Sequence, residues 1–242
     1  MNLLNKNSML YWYPMIDGKV PTPRTVMLEI PFANLYAYID KPRVLDAYRE
    51  RILECGKMVR YPLFLRTDLC AGKHNWKDTC YVPSEDVLFS HIRAVCEENA
   101  LADIIGLNMR ALVFREFLHL KTAFRAFHDM PIAREFRCFA DTGKLKCIHP
   151  YWPEDAIEFW VGTAEPEGWR RKLKDMSKLD MYSGERWKLQ ALAEHASGWV
   201  GGEWSVDLCQ TEDERWYLTD MAVASESYHH PHKEAERLGV KA

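Results

Sequence analysis

Apolar positions recur along the first part of the chain with two different periods. Thr25-Val26-Met27-Leu28-Glu29-Ile30 is a short β-favouring run in a stretch otherwise mixed with Tyr, Trp and Pro. Beyond Pro42 the period changes. Leu45, Tyr48, Ile52 and Cys55 recur at three and four, with Arg43, Asp46, Arg49, Glu50 and Arg51 on the other face. That spacing predicts an amphipathic helix, with Gly56 as its stop. A strand is expected from Tyr61 to Thr67, followed by the loop Asp68-Leu69-Cys70-Ala71-Gly72-Lys73-His74-Asn75-Trp76. The next helix is expected to begin at Ser84, a good N-cap, with Glu85 and Asp86 at the positive end of the helix dipole.

Downstream, Ala111 to Leu118 reads as a strand, and Ala133 to Asp141 with Lys144 to Tyr151 as a hairpin around Thr142-Gly143. A helical stretch near Ser183 to His195 precedes a final hairpin, Trp204 to Met221. No internal repeat or low-complexity linker interrupts the chain. Strands and helices mix without regular βαβ alternation, which predicts an α+β protein with mostly antiparallel sheets and a lobe boundary just after Leu118.

Composition narrows the class. The chain has 242 residues, 48% of them hydrophobic, with 32 basic against 35 acidic side chains and a formal charge of −3. That length buries a sizeable core. With 12 Gly, 12 Pro and no apolar run of membrane-spanning length, collagen-like, disordered and membrane-spanning readings fail. Near-neutral charge argues against nucleic acid held by bulk electrostatics. The seven Cys (Cys55, Cys70, Cys80, Cys96, Cys138, Cys147, Cys209) are scattered and odd in number, so no metal knuckle or disulfide framework is visible. A reducing cytoplasm is the expected compartment. The apolar patch near the N-terminus, interrupted by Pro14, is too short and too aromatic for a signal peptide, so no export is expected. Nine Trp are present, and Trp152, Trp160, Trp169, Trp187, Trp199, Trp204 and Trp216 all follow residue 150.

The last hairpin carries the most informative geometry. Trp204 to Cys209 and Arg215 to Met221 flank a polar turn, Gln210 to Glu214. An even-numbered loop sets Asp207 and Asp220 on one face as direct or diagonal neighbours, within roughly 8 Å. Two carboxylates that close call for a cation or a proton between them, and all-oxygen ligation suits Mg²⁺ with bound phosphate. The alternative is two surface acids on an exposed hairpin, and an odd loop separates them. A second constellation is basic. Arg66 ends a strand, Lys73 sits in a Gly-containing loop, and alternation puts Glu135 and Arg137 on one side of a strand. A flexible loop bearing a Lys can fold over a polyphosphate, and guanidiniums hold phosphate oxygens in a planar fork. Taken singly, a residue of this kind is more often a solvated or salt-bridged surface residue than a phosphate ligand. Ala71-Gly72-Lys73-His74 is no Walker A motif, since the first Gly and the Ser/Thr after Lys are missing.

In this order, Phe64-Leu65-Arg66 with Gly72-Lys73-His74-Asn75-Trp76, Val113-Phe114-Arg115-Glu116-Phe117-Leu118, Glu135-Phe136-Arg137-Cys138-Phe139 and the Asp207/Asp220 hairpin resemble the ATP-grasp superfamily. The match looks closest to its short, divergent branches, which include phage-encoded members and eukaryotic proteins that help assemble translation initiation factor 2. The resemblance implies two α+β lobes of mostly antiparallel sheet plus helices, with ATP between them. Residues 1–60 would pack on the first lobe, 61–118 form the small lobe, and 119–242 the large lobe with the metal hairpin. Arg66 and Lys73 match the two basic phosphate ligands, the first of which is commonly Lys. Glu116, Phe117 and Leu118 match the linker that bonds the adenine edge, and Arg137 matches the Arg facing the γ-phosphate. Lys73 and Arg137 are the implied catalytic residues, and Asp207 and Asp220 the implied Mg²⁺ ligands. The last motif departs from the pattern, because Asp220-Met221-Ala222 lacks the usual Asn. Either Ser225 or Glu226 substitutes, or metal binding is weaker.

The reaction this implies is ATP-dependent joining of a carboxylate to an amine through an acyl phosphate, with unknown substrates for which a peptide or protein is one candidate. The alternative is an assembly or adaptor protein that uses Mg·ATP as a structural clamp, which the absent Asn favours. A nucleic-acid ligase that adenylates a Lys fares worse, since Lys73-His74-Asn75-Trp76 lacks the Gly expected three residues after such a Lys. In Tyr228-His229-His230-Pro231-His232, adjacency and Pro231 give poor metal convergence, so a solvated tail is expected, with His229 still near an acceptor. The basic segment Glu165 to Tyr182 reads as a solvated helix face and a weak candidate for contact with an acidic partner. Trp204 and Trp216 on the paired strands, with Trp152, Trp160 and Trp187 at the edges of expected helices, are expected to pack the larger lobe and hold its acidic face rigid.

Overall fold

A computed structural model describes residues 5–102, 108–159, 164–180 and 182–229, so Trp160, His230 and His232 lie outside the described residues. The chain divides into two compact units. One comprises residues 23–102, 108–118 and 127–130; the other comprises residues 5–22, 119–126, 131–159, 164–180 and 182–229. Residues 5–22 therefore group with the C-terminal unit and not with residues 61–118. The cause is the helix α1 (Met9–Ile16): Tyr11 stacks on Trp204 with ring centroids 6.2 Å apart, and beyond the helix Pro21 accepts from the Leu218 amide.

In the N-terminal unit, β1 (Thr25–Glu29), β2 (Leu63–Thr67), β3 (Tyr81–Val82) and β4 (Ala111–Glu116) form an antiparallel sheet in the order β1-β4-β2-β3. One face carries Leu28, Leu63, Leu65, Leu112 and Phe114, buried with residues of α2 (Phe32–Tyr38), α3 (Arg49–Val59) and α4 (Leu88–Ala102). By the two-residue period, Phe64, Arg66, Val113 and Arg115 share the other face. The helix expected from Pro42 is split, with a 3₁₀ turn over Pro42–Tyr48 preceding α3. Gly56 does not stop it. A Cβ there would collide with the Tyr61 hydroxyl, so Gly56 is the gap that admits Tyr61, and the helix runs on to Val59. Ser84 makes no side-chain cap, because a 3₁₀ turn over Glu85–Val87 opens the next helix.

In the C-terminal unit, β7 (Glu135–Asp141), β8 (Lys144–Pro150), β9 (Glu203–Gln210) and β10 (Trp216–Val223) form an antiparallel sheet ordered β10-β9-β7-β8. The β7–β8 turn is Thr142-Gly143, both at positive φ, as a two-residue primed hairpin turn requires. Phe136, Cys138, Val206, Leu208 and Leu218 share the face toward α6 (Gly184–Val200), which packs on β7, β8 and β9. Trp204 and Trp216 are buried, whereas Trp187 and Trp199 on α6 are exposed. A short hairpin of β5 (Thr122–Ala126) and β6 (Met130–Ala133), not anticipated from the residue pattern, precedes this sheet. The basic segment forms α5 (Trp169–Met176), which buries Trp169 and Leu173. Its Arg170 pairs with Glu154 and Glu165, and Arg171 and Lys178 lie against Asp175. Nearby acids thus offset the basic excess.

Candidate functional site

The face of the C-terminal unit's four-stranded sheet turned away from α6 carries a row of ionisable residues on adjacent strands. His149 of β8 is in register with Arg137 of β7, Arg137 with Asp207 of β9, and Asp207 with Asp220 of β10. Asp207 and Asp220 are thus direct neighbours, though not by the expected route. Five residues separate the paired Gln210 and Trp216, an odd loop, and close to the turn the register runs Tyr217 to Cys209 and Leu218 to Leu208. Continued unchanged, it would set Thr219 against Asp207. A β-bulge between Leu218 and Asp220 absorbs Thr219 and moves Asp220 into place. The Thr219 hydroxyl donates to the Asp207 carbonyl at 3.2 Å, satisfying backbone at the bulge.

Arg137 grips Asp207 from the side. Its Nε donates to Oδ1 at 2.7 Å and its Nη2 to Oδ2 at 2.8 Å, with the guanidinium 4.7 Å from the centre of the Tyr151 ring. Burial opposes the charge on Arg137, but the hydrogen bonds and charge of Asp207 outweigh it and hold the guanidinium protonated well above its usual range. Glu135, also buried, lies on the same face opposite Cys209. Asp220 Oδ1 accepts from the Met221 amide at 3.0 Å. One guanidinium therefore shares this face with three carboxylates. The carboxylates offer oxygen donors, the chemistry of a hard cation, with the imidazole of His149 at the β8 end of the row. A carboxylate offers about four lone-pair sites, so the Arg137 fork still leaves Asp207 some for a metal. No cluster of three or more His, Cys, Asp or Glu suited to a metal occurs among the described residues. The set fits Mg²⁺ held by two carboxylates with remaining ligands from phosphate and water, the usual mode for this ion.

At the position of the missing Asn, Ala222 stands opposite Ser205, whose hydroxyl lies 2.6 Å from that of Ser227. Of the two suggested substitutes, Glu226 accepts from Asn7, and Ser225 lies in the 3₁₀ turn Ala224–Glu226. His229 sits beside the row, with Nε2 3.0 Å from Cys147 Sγ and its ring packed on Phe139 and His149. Burial pushes the Cys147 thiol up to about 11.

The N-terminal unit holds the other predicted residues. Arg66 is 3% exposed on β2, with Nε donating to the Thr67 carbonyl at 3.0 Å. Arg115, equally buried, lies diagonally from it on the same face, its Nε donating to Thr25 Oγ1 at 3.2 Å. Lys73 opens a single 3₁₀ turn, Lys73–Asn75, after Gly72 in the left-handed conformation at φ 59°. Buried polar groups anchor both ends of this loop. Asp68 Oδ1 accepts from the Arg110 and Ala111 amides, and the Thr67 hydroxyl bonds Asn99 at 2.6 Å. At the far end, the Thr79 hydroxyl lies 2.7 Å from the carbonyls of Gly72 and Asn75. Glu116 ends β4, where its carboxylate accepts from the Arg24 amide at 3.2 Å. Phe117 and the half-buried Leu118 follow, and Phe117 packs with Trp76 and Tyr81 at centroid distances of 6.1 and 5.1 Å. Phe64, on the Arg66 face, completes this aromatic cluster through Trp76.

Each unit thus gathers its own share of the predicted residues. Arg115, His149 and Tyr151 were missed as site residues, although the alternation that paired Glu135 with Arg137 applies equally to Val113-Phe114-Arg115. A cavity of about 550 Å³ in the C-terminal unit includes Arg134, Glu185, Gln210 and Trp216 in its lining and none of the predicted residues. There Arg134 pairs with Glu185 and donates to the carbonyls of Met176 and Lys178, tying the segment before α6 to the sheet.

No protein-family model and no curated protein matches the chain. Solved structures do. A RimK-domain ATP-grasp protein from Sphaerobacter thermophilus aligns at a TM-score of 0.50 and 14% identity over 96% of this chain and 65% of its own. The D-alanine–D-alanine ligase of Bacillus anthracis, complexed with ATP, aligns at 0.50 and 10% identity, over 96% of this chain and 60% of its own. The N5-carboxyaminoimidazole synthase of Aspergillus clavatus, in complex with ADP and 5-aminoimidazole ribonucleotide, aligns at 0.50 and 14%, over 89% and 43%. The chain spans less than two thirds of the length of these proteins. Its fold is the α+β ATP-grasp fold. No helix among the described residues is long and apolar enough to cross a membrane.

Proposed function

We propose that the chain is an ATP-dependent ligase joining a carboxylate to an amine through an acyl phosphate. The observation that carries the reading is the row Arg137, Asp207, Asp220 on three adjacent strands of an ATP-grasp fold. Phosphoryl transfer asks a protein mainly to position reactants and neutralise charge. Asp207 and Asp220 would hold Mg²⁺, which when bound supplies Lewis-acid neutralisation of phosphate oxygens. Lys73 donates from its loop to phosphate oxygens, and Arg66 and Arg115 add two buried positive charges on one sheet face. Arg137, oriented by Asp207 and reaching the Tyr228 carbonyl through Nη1 at 3.4 Å, presents its other N–H groups to an anion. Phe117 and its backbone, with Trp76 and Tyr81, provide an apolar ledge for a base.

Calorimetry with Mg·ATP, followed by product analysis over panels of acids and amines, tests this reading. ADP formation that requires both an acid and an amine supports the ligase, and Asp220→Ala should abolish it. A second reading, a nucleotide-binding adaptor without turnover, is favoured by Ala222 at the Asn position and by the commitment of Arg137 to Asp207. Tight Mg·ATP binding with no ADP or AMP across the panels supports that reading instead.

A further inference from the structure

We propose that the hairpin tip Phe127-His128-Asp129 is a clasp that positions the Lys73 loop, a role that rests on the reading of Lys73 as a phosphate ligand. The tip is flanked in sequence by residues of the C-terminal unit, yet belongs to the N-terminal one. Three consecutive residues meet four positions of the loop. The Phe127 ring stacks on His74 with centroids 4.6 Å apart and planes 5° from parallel. His128 Nδ1 lies 3.2 Å from Asn75 Oδ1 and 3.4 Å from Asp78 Oδ2. Asp129 pairs with Lys77 at 2.8 Å.

The backbone of the tip points the same way. Phe127 and Asp129 have φ of 52° and 60°, in the left-handed region. A turn needing that conformation is ordinarily built from Gly or Asn. Asp tolerates that region, but a bulky Phe persists there only where its surroundings over-determine it, and Phe127 has its partner on the loop in the His74 ring. Phe127 is 1% exposed although it belongs to a hairpin tip. Lys73 lies between Gly72, which needs positive φ, and the clasped run 74–78, so the clasp fixes the stretch from which its side chain projects. Phe127, His128 and Asp129 are positioning residues on this account.

The test compares the wild type with a Phe127→Leu/Asp129→Asn variant, which keeps bulk and tolerance of the turn but loses stacking and charge. Phe127→Tyr serves as the conservative control. Amide hydrogen exchange should rise about tenfold or more across residues 72–79 of the double variant, with the β7–β9 strands unchanged. Affinity for Mg·ATP should fall about tenfold while affinity for adenosine, which lacks phosphates, holds. Phe127→Tyr should behave as wild type. Unchanged exchange at 72–79 overturns the clasp whatever nucleotide binding does, and equal loss of ATP and adenosine affinity overturns its link to phosphate. A wild type that binds no ATP, with exchange raised in the variant, removes the phosphate role of Lys73 and leaves the clasp standing.

Discussion

Asp220 stands directly across from Asp207 because β10 carries one residue too many, Thr219, between Leu218 and Asp220. Deleting Thr219 leaves Leu218 opposite Leu208 and Asp220 opposite Asp207 in an unbulged ladder. The deletion should therefore keep Mn²⁺ affinity, measured in the presence of a non-hydrolysable ATP analogue, within about threefold of wild type. Asp220→Ala should lower it by about tenfold or more. Equal loss in both variants would show that the bulge itself shapes the site.

The ion pair between Arg137 and Asp207 is nearly closed to solvent, with side chains 16% and 6% exposed. Removing one partner strands a buried charge, which costs about 3–5 kcal/mol. Asp207→Ala should show that loss in urea unfolding. A double replacement, Arg137→Met with Asp207→Leu, should recover most of it while abolishing nucleotide-dependent heat. A single variant no less stable than the double one would mean that water reaches the pair.

How much was legible in the residues follows from which features are local. Alternation within a strand is local, so the shared face of Glu135 and Arg137, the Thr142-Gly143 turn and the burial of Trp204 and Trp216 could all be read. The register at Asp220 could not, because nothing in Leu218-Thr219-Asp220 marks the bulge that offsets the odd loop. Gly56 reads as a helix stop until the Tyr61 ring is seen against it. The clasp residues were opaque for the same reason. Phe127 carries no turn signature, Asp129 is a turn residue without a Gly beside it, and their partners lie some fifty residues earlier in the chain.

Burial pushes the thiols of Cys80 and Cys96 and the hydroxyl of Tyr61 up to about 12. The folded state keeps these protons after an unfolded Cys, with a pKa of about 8.5, has lost its own. The stabilisation from the two thiols is therefore full below about pH 8.5 and declines as the pH rises toward 12, by up to about 1.4 kcal/mol per pH unit for each, whereas that from Tyr61 begins to decline only above about pH 10. Urea midpoints should fall between pH 8 and pH 10.5, and Cys96→Ala should flatten the slope even if it lowers the starting value. A pH-independent midpoint over that range would mean that these thiols ionise in the folded protein.

Gly72 links the frame of the Lys73 loop to its function. Its φ of 59° disfavours any residue with a side chain, and an added Cβ would sit 3.3 Å from both Thr79 Cβ and Glu98 Cγ. Thr79 cannot retreat cheaply, because its hydroxyl bonds within the loop and its carbonyl lies 2.7 Å from His91 Nδ1. Glu98, on α4, is the more yielding neighbour. Gly72→Ala should thus cost about 1–2 kcal/mol in stability, chiefly from the left-handed backbone. Relaxing that strain means moving residue 72 toward negative φ, which swings Lys73, the next residue, away from its place. Mg·ATP affinity should then fall more than adenosine affinity in the same variant, measured by calorimetry. Equal affinity losses for the two ligands, or none for either, would separate the geometry of Gly72 from phosphate binding.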